Sequence, residues 1–229
     1  MLRRIQRPVL FSGLFIFAVI GLCAQTPRVL SFGTWVSDYL QAGDEHWYSV
    51  HPQAAGIVYV QTSGDTDTYL EVYDAFRSYI DEDDDSGEGY NASIAIVVEA
   101  GKTYFFRVDG FDNDVSGPYS IQAEFEPIPA LPFGTWVSGF LSEGGVYLYY
   151  VVPSANGFVT VETSGGIDTY LEAFDAFDNF IDSDDDSGEG NNARLEIAVE
   201  AGRTYFFRLD GFNADVSGPY NIRAGFRPR

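Results

Sequence analysis

Gly101-Lys102-Thr103-Tyr104-Phe105-Phe106-Arg107-Val108-Asp109-Gly110-Phe111 reads GKTYFFRVDGF, and its alternation decides the fold. Tyr104, Phe106 and Val108 share one side of an extended chain while Thr103, Phe105 and Arg107 share the other, the period-two pattern of a strand with one buried face. The same stretch returns as GRTYFFRLDGF at Gly202 to Phe212. Working outward, the self-match runs from Leu30–Pro127 onto Leu131–Pro228 at a constant offset of 101, with no gap and about 60 identities over about 98 positions. Solenoid units are about 20 to 50 residues long, so a period of this length is a whole domain. Two sibling domains of about 100 residues are expected, each large enough to bury its own core.

Within each copy, further alternating runs occupy Thr34–Leu40, His46–Val50, Ile57–Thr62, Thr68–Tyr73, Ser93–Val98 and Tyr119–Phe125. Turn signals separate them at Gly43-Asp44, Ser63-Gly64-Asp65, Ser86-Gly87, Ala100-Gly101 and Ser116-Gly117-Pro118. No long stretch has helical spacing. The fold class expected is all-β: two antiparallel jelly-roll-like β-sandwich domains in tandem, over residues 30–127 and 133–228. The Pro-rich linker 128–132 between them favours extended polyproline geometry and reads as a short, semi-rigid spacer.

The chain has 229 residues, with 34 Asp+Glu against 13 Lys+Arg and a formal net charge of -21. Such a field repels a polyanion, so no nucleic-acid partner is expected. Hydrophobic residues at 45% and aromatics at 16% also exclude a solvated acidic coil.

Several motifs carry a family resemblance. A Gly33-Thr34-Trp35 opening runs to Leu40, an aromatic strand ends in Pro52 or Pro153, and Asp67-Thr68-Tyr69-Leu70 forms a strand. An acidic Asp84-Asp85-Ser86-Gly87 loop follows, then Ala100-Gly101-x-Thr103-Tyr104-x-x-Arg107 and a final Ser116-Gly117-Pro118-Tyr119. In order and spacing these resemble the bacterial pre-peptidase C-terminal domain, twice over. The resemblance implies a secreted, non-catalytic β-sandwich of the kind appended to extracellular proteases and other hydrolases, where it assists secretion or substrate adhesion; some members bind calcium. No enzyme accompanies the two copies within these 229 residues.

The acidic loop is the sharpest chemical feature. Asp81, Asp83 and Asp85, with Asp182, Asp184 and Asp186 in the second copy, stand at positions 1, 3 and 5 of a Gly-containing run and are the candidate calcium ligands, since calcium takes six to eight oxygens. The run is not an EF-hand, because position 6 is Ser86 and position 12 is Ala92. An exposed, solvated turn is the competing reading; Asp67 or Asp109, and Asp168 or Asp210, are the neighbouring acids that would complete a shell.

Tyr69 and Tyr73 share a strand face with Glu71, as Tyr170 and Phe174 do with Glu172. These four are the candidate ligand-binding residues if the face looks outward, where rings can stack on sugars; inward, they are core. Trp35 and Trp136 are expected as core anchors, and Arg107 and Arg208 as cross-strand partners of carboxylates. Enzyme motifs are missing: no G-x-S-x-G, no H-E-x-x-H, no phosphate-cradling Gly loop. His46 and His51 read as strand-surface residues, replaced by Tyr147 and Val152 in the second copy.

Residues 1–24 read as a signal peptide, with Arg3, Arg4 and Arg7 before an apolar run from Pro8 to Leu22 and cleavage after Ala24. Ile20-Gly21-Leu22-Cys23 also resembles a bacterial lipobox, which would acylate Cys23 and make a lipid anchor the sole membrane attachment. Either way the expected location is secreted, periplasmic or on the bacterial cell surface. The expected function is a non-catalytic binding or adhesion module for an extracellular polysaccharide or matrix protein, calcium-stabilised where the acidic loops hold the ion. A structural envelope role is the alternative, with an extracellular hydrolase a weaker one.

Overall fold

The computed structural model describes residues 26–229, and every described regular element is a strand. The expected leader and Cys23 lie outside the described residues. The first repeat contains β1 (Arg28–Val29), β2 (Val36–Leu40), β3 (His46–Val50), β4 (Gly56–Gly64), β5 (Thr68–Tyr73), β6 (Tyr79–Asp83), β7 (Ser93–Val98), β8 (Tyr104–Gly110) and β9 (Gly117–Pro127). The second contains β10 (Val137–Leu141), β11 (Tyr147–Val151), β12 (Gly157–Gly165), β13 (Thr169–Asp175), β14 (Phe180–Asp184), β15 (Arg194–Val199), β16 (Tyr205–Gly211) and β17 (Gly218–Pro228).

Each repeat folds into two facing sheets. In the first they run β2-β9-β4-β7 and β1-β3-β8-β5-β6; in the second, β10-β17-β12-β15 and β11-β16-β13-β14. All pairs are antiparallel apart from β1 on β3. Eight strands in these two interleaved orders are the double Greek key of a jelly roll.

Alternation places the core where the opening stretch put it. Tyr104, Phe106 and Val108 of β8 are buried with Leu70 and Val72 of β5, against Val58, Val60, Ile121 and Ala123 from the facing sheet. The second repeat buries the equivalent set around Phe207, Leu209, Leu171, Val159 and Ile222. Two buried hydroxyl pairs tie the sheets together in each repeat. Tyr48 and Tyr119 meet at 2.6 Å and Thr62 and Thr68 at 2.6 Å; Tyr149–Tyr220 and Thr163–Thr169 repeat both distances.

Two expectations are corrected. Trp35 and Trp136 are 45% and 41% exposed, so they are not core anchors. They precede the first core residue of β2 and β10 and lie on the outside, where the Arg223 guanidinium covers Trp136 at 4.4 Å. His46 is half-buried rather than superficial, its Nδ1 lying 2.8 Å from Tyr119 Oη. The segment 128–132 is hydrogen-bonded to both repeats. Ile128 N–H donates to Ala55 C=O, while Tyr150 donates to Pro129 C=O and accepts from Leu131 N–H. Ala130 thus bridges β11 in parallel, as β1 does β3.

The tyrosine pairs differ in one respect that can be measured. Tyr48 Oη also donates to Asp38 Oδ2 at 3.1 Å, whereas Tyr149 Oη has no second side-chain partner among the described residues, Gly139 standing where Asp38 stands. Tyr220→Phe therefore strands the Tyr149 hydroxyl and is expected to cost about 1–3 kcal/mol. Tyr119→Phe leaves Tyr48 its Asp38 partner but takes from His46 Nδ1 its own. Calorimetric melting of Tyr220→Phe checks the expected loss, and an unchanged transition contradicts it.

Candidate functional site

The acidic run begins as strand and ends as turn. β6 closes at Asp83, whose Oδ2 accepts the N–H groups of Ser86 (3.0 Å) and Ser93 (2.8 Å), while its Oδ1 accepts Ser86 Oγ at 2.5 Å. Asp184 does the same in the second copy, accepting Ser187 N–H at 3.1 Å and Arg194 N–H at 2.7 Å. The turn packs tightly: a Cβ on Gly87 would fall 2.4 Å from Asn91 C=O, so only glycine fits there. Asp83 and Asp184 are therefore occupied by backbone donors. Asp81, Asp85, Asp182 and Asp186 point to solvent. Among the described residues no group of three or more His, Cys, Asp or Glu side chains converges as a metal would require. Alternating positions 1, 3 and 5 gather ligands in a loop, but here positions 1 and 3 lie on an extended strand. Beside the loop, the Asp67 carboxyl is pushed above its ordinary value by burial and then by the charges of Asp85, Asp84 and Asp112.

The aromatic candidates lie on the outer face of the sheet. Thr68, Leu70 and Val72 fill the core, which turns Tyr69, Glu71 and Tyr73 outward as a half-buried row. Trp47 packs against Tyr73 with centroids 5.4 Å apart, and Tyr79 meets Tyr73 edge-on at 6.2 Å. Arg77 lies over this face, its guanidinium 4.3 Å from the Trp47 ring and 3.7 Å from that of Phe105. It reaches there from the β5–β6 turn with a left-handed φ of 63°. Asp74 Oδ1 secures that turn by accepting the N–H groups of Phe76 and Ser78, both at 2.8 Å.

Next along the face, Arg107 is an ion partner of Glu71 at 2.5 Å, Glu45 at 3.0 Å and Asp109 at 3.4 Å. Glu71 opposes Arg107 directly in the β5–β8 register, and Glu172 opposes Arg208 likewise, as the sequence pattern requires. Tyr73 Oη donates to Glu71 Oε2 at 2.6 Å, and burial and that carboxylate push its hydroxyl up to about 12. Asp109 is raised to about 6, chiefly by burial, with Arg107 opposing the shift and Glu71 and Glu45 adding to it.

In the second repeat the equivalent face is not free. Leu148, Tyr150, Phe174 and Phe206 pack against Ala55, Ile57, Val97 and Ile128 of the first repeat and the connecting segment. Phe206 is 3% exposed, and Thr204 Oγ1 donates to Glu99 Oε2 across the joint at 2.7 Å. Of the four aromatic candidates, Tyr69 and Tyr73 thus stand on an open face, Tyr170 is half-buried and Phe174 is absorbed into the joint.

The joint creates a feature that no stretch of sequence announces. A groove of about 470 Å³ runs along it, walled by Phe76, Tyr79 and Ile80 of the first repeat and by Phe177 and Asp178 of the second, with Lys102 at its rim. Phe76 and Phe177 are counterparts, carried on the matching hairpin tips and 87% and 70% exposed. The second tip is held as the first is, with Asp175 Oδ1 accepting the N–H groups of Phe177 and Asn179 and Asp178 at a φ of 60°. The D-A-F tripeptide repeated at 74–76 and 175–177 was the available signal.

No protein-family model and no curated protein matches the chain. Among solved structures it is similar to tripeptidyl peptidase 2 (10% identity, TM-score 0.32), over 88% of this chain and 24% of that one. A protein from Eubacterium rectale matches at 10% identity and a TM-score of 0.31, over 100% and 87% of the two chains. The CUB1-EGF-CUB2 segment of rat MASP-1 matches at 7% identity and a TM-score of 0.25, over 86% and 100%. Likeness at this level carries no argument about activity. Among the described residues no helix is long and apolar enough to cross a membrane.

Asp109 supplies a pH test of the face. Its folded-state pKa lies above the unfolded value, so the native state binds the extra proton between about pH 4 and 6. The stability this gives is fully present below about pH 4 and lost as pH rises through about 6. Asp109→Asn is expected to melt like the wild type at pH 4 and to be more stable at pH 7, on the order of 1 kcal/mol after solvent screening. A pH-independent difference between the two proteins contradicts the assignment.

Proposed function

We propose that the protein is a secreted or surface-held, non-catalytic binding module that takes an extended polysaccharide along the groove between its two sandwiches. The observation that carries this reading is the pair of matched, exposed phenylalanines, Phe76 and Phe177, facing one groove from two repeats. Exposed flat rings stack on the apolar faces of sugars, and the carboxylates of Asp81, Glu99 and Asp178 beside them offer acceptors for hydroxyl groups. A net charge of -21 repels acidic polymers, so the favoured ligand is neutral or basic. The resemblance to pre-peptidase C-terminal domains agrees with a binding role rather than a catalytic one. The second sandwich uses its equivalent aromatic face in the joint, so the composite groove is the surface favoured for the ligand.

Calcium belongs to this proposal as a stabiliser and not as part of the groove. A divalent cation would relieve the repulsion that Asp85, Asp84 and Asp112 exert on Asp67, which adds to the effect of burial there. Calcium is expected to raise the melting temperature, reversibly with a chelator, and Asp67→Asn to shrink the effect; an unchanged melt with and without the ion removes calcium from the account.

Retention on cellulose, chitosan, pectin and immobilised gelatin tests the binding role. Cellulose or chitosan should hold the protein and pectin should not. Phe76→Ala and Phe177→Ala should each weaken binding roughly tenfold with the melting temperature unchanged. No retention on either sugar polymer refutes the reading, and gelatin binding that survives both substitutions assigns a protein ligand to another surface.

A further inference from the structure

We propose that the two outer faces left uncovered by the joint are the halves of a second, head-to-tail interface, whose partner is another copy of this chain, and that Arg77, Arg227 and Arg229 hold it shut. A duplicated sandwich has two copies of each outer face, and one of each meets inside the molecule. The β11 sheet of the second repeat accepts the β4–β7 side of the first. The remaining acceptor is the β3 sheet of the first repeat, with Trp47, Phe105 and Tyr73 where the joint has Leu148, Phe206 and Phe174. The remaining donor is the β12–β15 side of the second repeat, with Phe158 and Ala198 where the joint has Ile57 and Val97.

The backbone is the same at both donor sites. Ile128 N–H donates to Ala55 C=O at 3.1 Å, and Arg229 N–H donates to Asn156 C=O at 3.2 Å. What changes is the side chains: Ala55 becomes Asn156 and Ile128 becomes Arg229. The guanidinium groups of Arg227 and Arg229 then lie over Phe158, at 4.4 Å and 5.1 Å. On the acceptor, Arg77 stands where the joint has Asp178, at nearly the same left-handed φ of 63° against 60°. The turn is unaltered, and its side chain covers the ring that the joint leaves open for Ile128.

Both coverings have the same sign. If a second copy docked as the repeats dock, its Arg229 would come to the Phe105 ring that Arg77 already occupies. Two guanidinium charges would share one desolvated spot, which opposes docking. Without them the contact is heterologous, so it would propagate beyond a dimer into a ring or a filament. The inference rests on the joint and is independent of any ligand in the groove.

Grafting the joint's own residues onto the outer faces tests it. One variant opens the acceptor (W47L, S49Y, R77D) and another opens the donor (N156A, F158I, R229I). Sedimentation velocity is expected to show the wild type and each variant as monomers, a 1:1 complex when the two variants are mixed, and species larger than dimers when one chain carries all six changes. Monomers throughout, with native melting curves, overturn the proposal, as does wild-type protein that already assembles through these faces. Arg77→Asp and Arg229→Ile alone, each a single surface change, supply the same mixing test where a graft melts early.

Discussion

Phe206 is the residue on which the arrangement of the molecule depends. It belongs to the outer, not the inner, face of its sheet, yet it is 3% exposed because Ala55, Ile57, Val97 and Ile128 close over it. Burying a phenylalanine is worth about 1.5–3 kcal/mol, enough to bias two tethered domains toward one orientation. Adjacent domains move relative to one another unless their interface is apolar and well packed. Here the connecting segment contributes to that packing, since Ile128 is inside the joint and Leu131 inside the second core. Fixing Phe206 fixes which aromatic face is covered and which is open, and brings the tips carrying Phe76 and Phe177 to one groove.

The comparison of the repeats separates what holds a sandwich together from what joins two of them. Buried residues that hydrogen-bond across each sandwich keep their identity: Tyr48 and Tyr149, Tyr119 and Tyr220, Thr62 and Thr163, Thr68 and Thr169; so do the turn-capping Asp83 and Asp184. Each is constrained from several sides, so a change at one leaves a buried hydroxyl or N–H without a partner. Outer-face positions are constrained only by what covers them. Ala55 and Asn156, and Ile128 and Arg229, differ where one member of each pair is packed in the joint and the other is outside it.

This explains how much was legible in the sequence. The period-two pattern of β8 specified strand, face and core together, because one side of that strand is fully buried and the other half-covered. The Arg107 and Glu71 pairing followed from the same alternation. β6 was not legible as a strand. Its residues are almost wholly exposed, so Tyr79-Ile80-Asp81-Glu82-Asp83 carries no alternation to detect, and the acids read as loop. Trp35 and Trp136 misled through size: a large ring suggests core, but an arginine can cover it from outside as Arg223 does. The joint was beyond reach for a different reason. A gapless self-match directs attention to identities, whereas the residues that decide which faces meet are those at which the copies disagree.

The distribution of cations follows from the same division. Outside the expected leader the chain has a single lysine, Lys102, and nine arginines. Lysine would serve equally well to offset diffuse acidity, so the preference for arginine points to planar contacts. Arg77 stacks on Trp47 and Phe105, Arg223 on Trp136, and Arg227 and Arg229 on Phe158. Arg107 and Arg208 are held in sheets between opposed carboxylates. Having been committed to rings and ladders, these cations do not neutralise the Asp81–Asp85 and Asp182–Asp186 runs, whose central acids are satisfied by backbone N–H groups instead. The net charge is set by composition, but this placement of the cations leaves the acidic runs as a locally negative surface beside the aromatic faces.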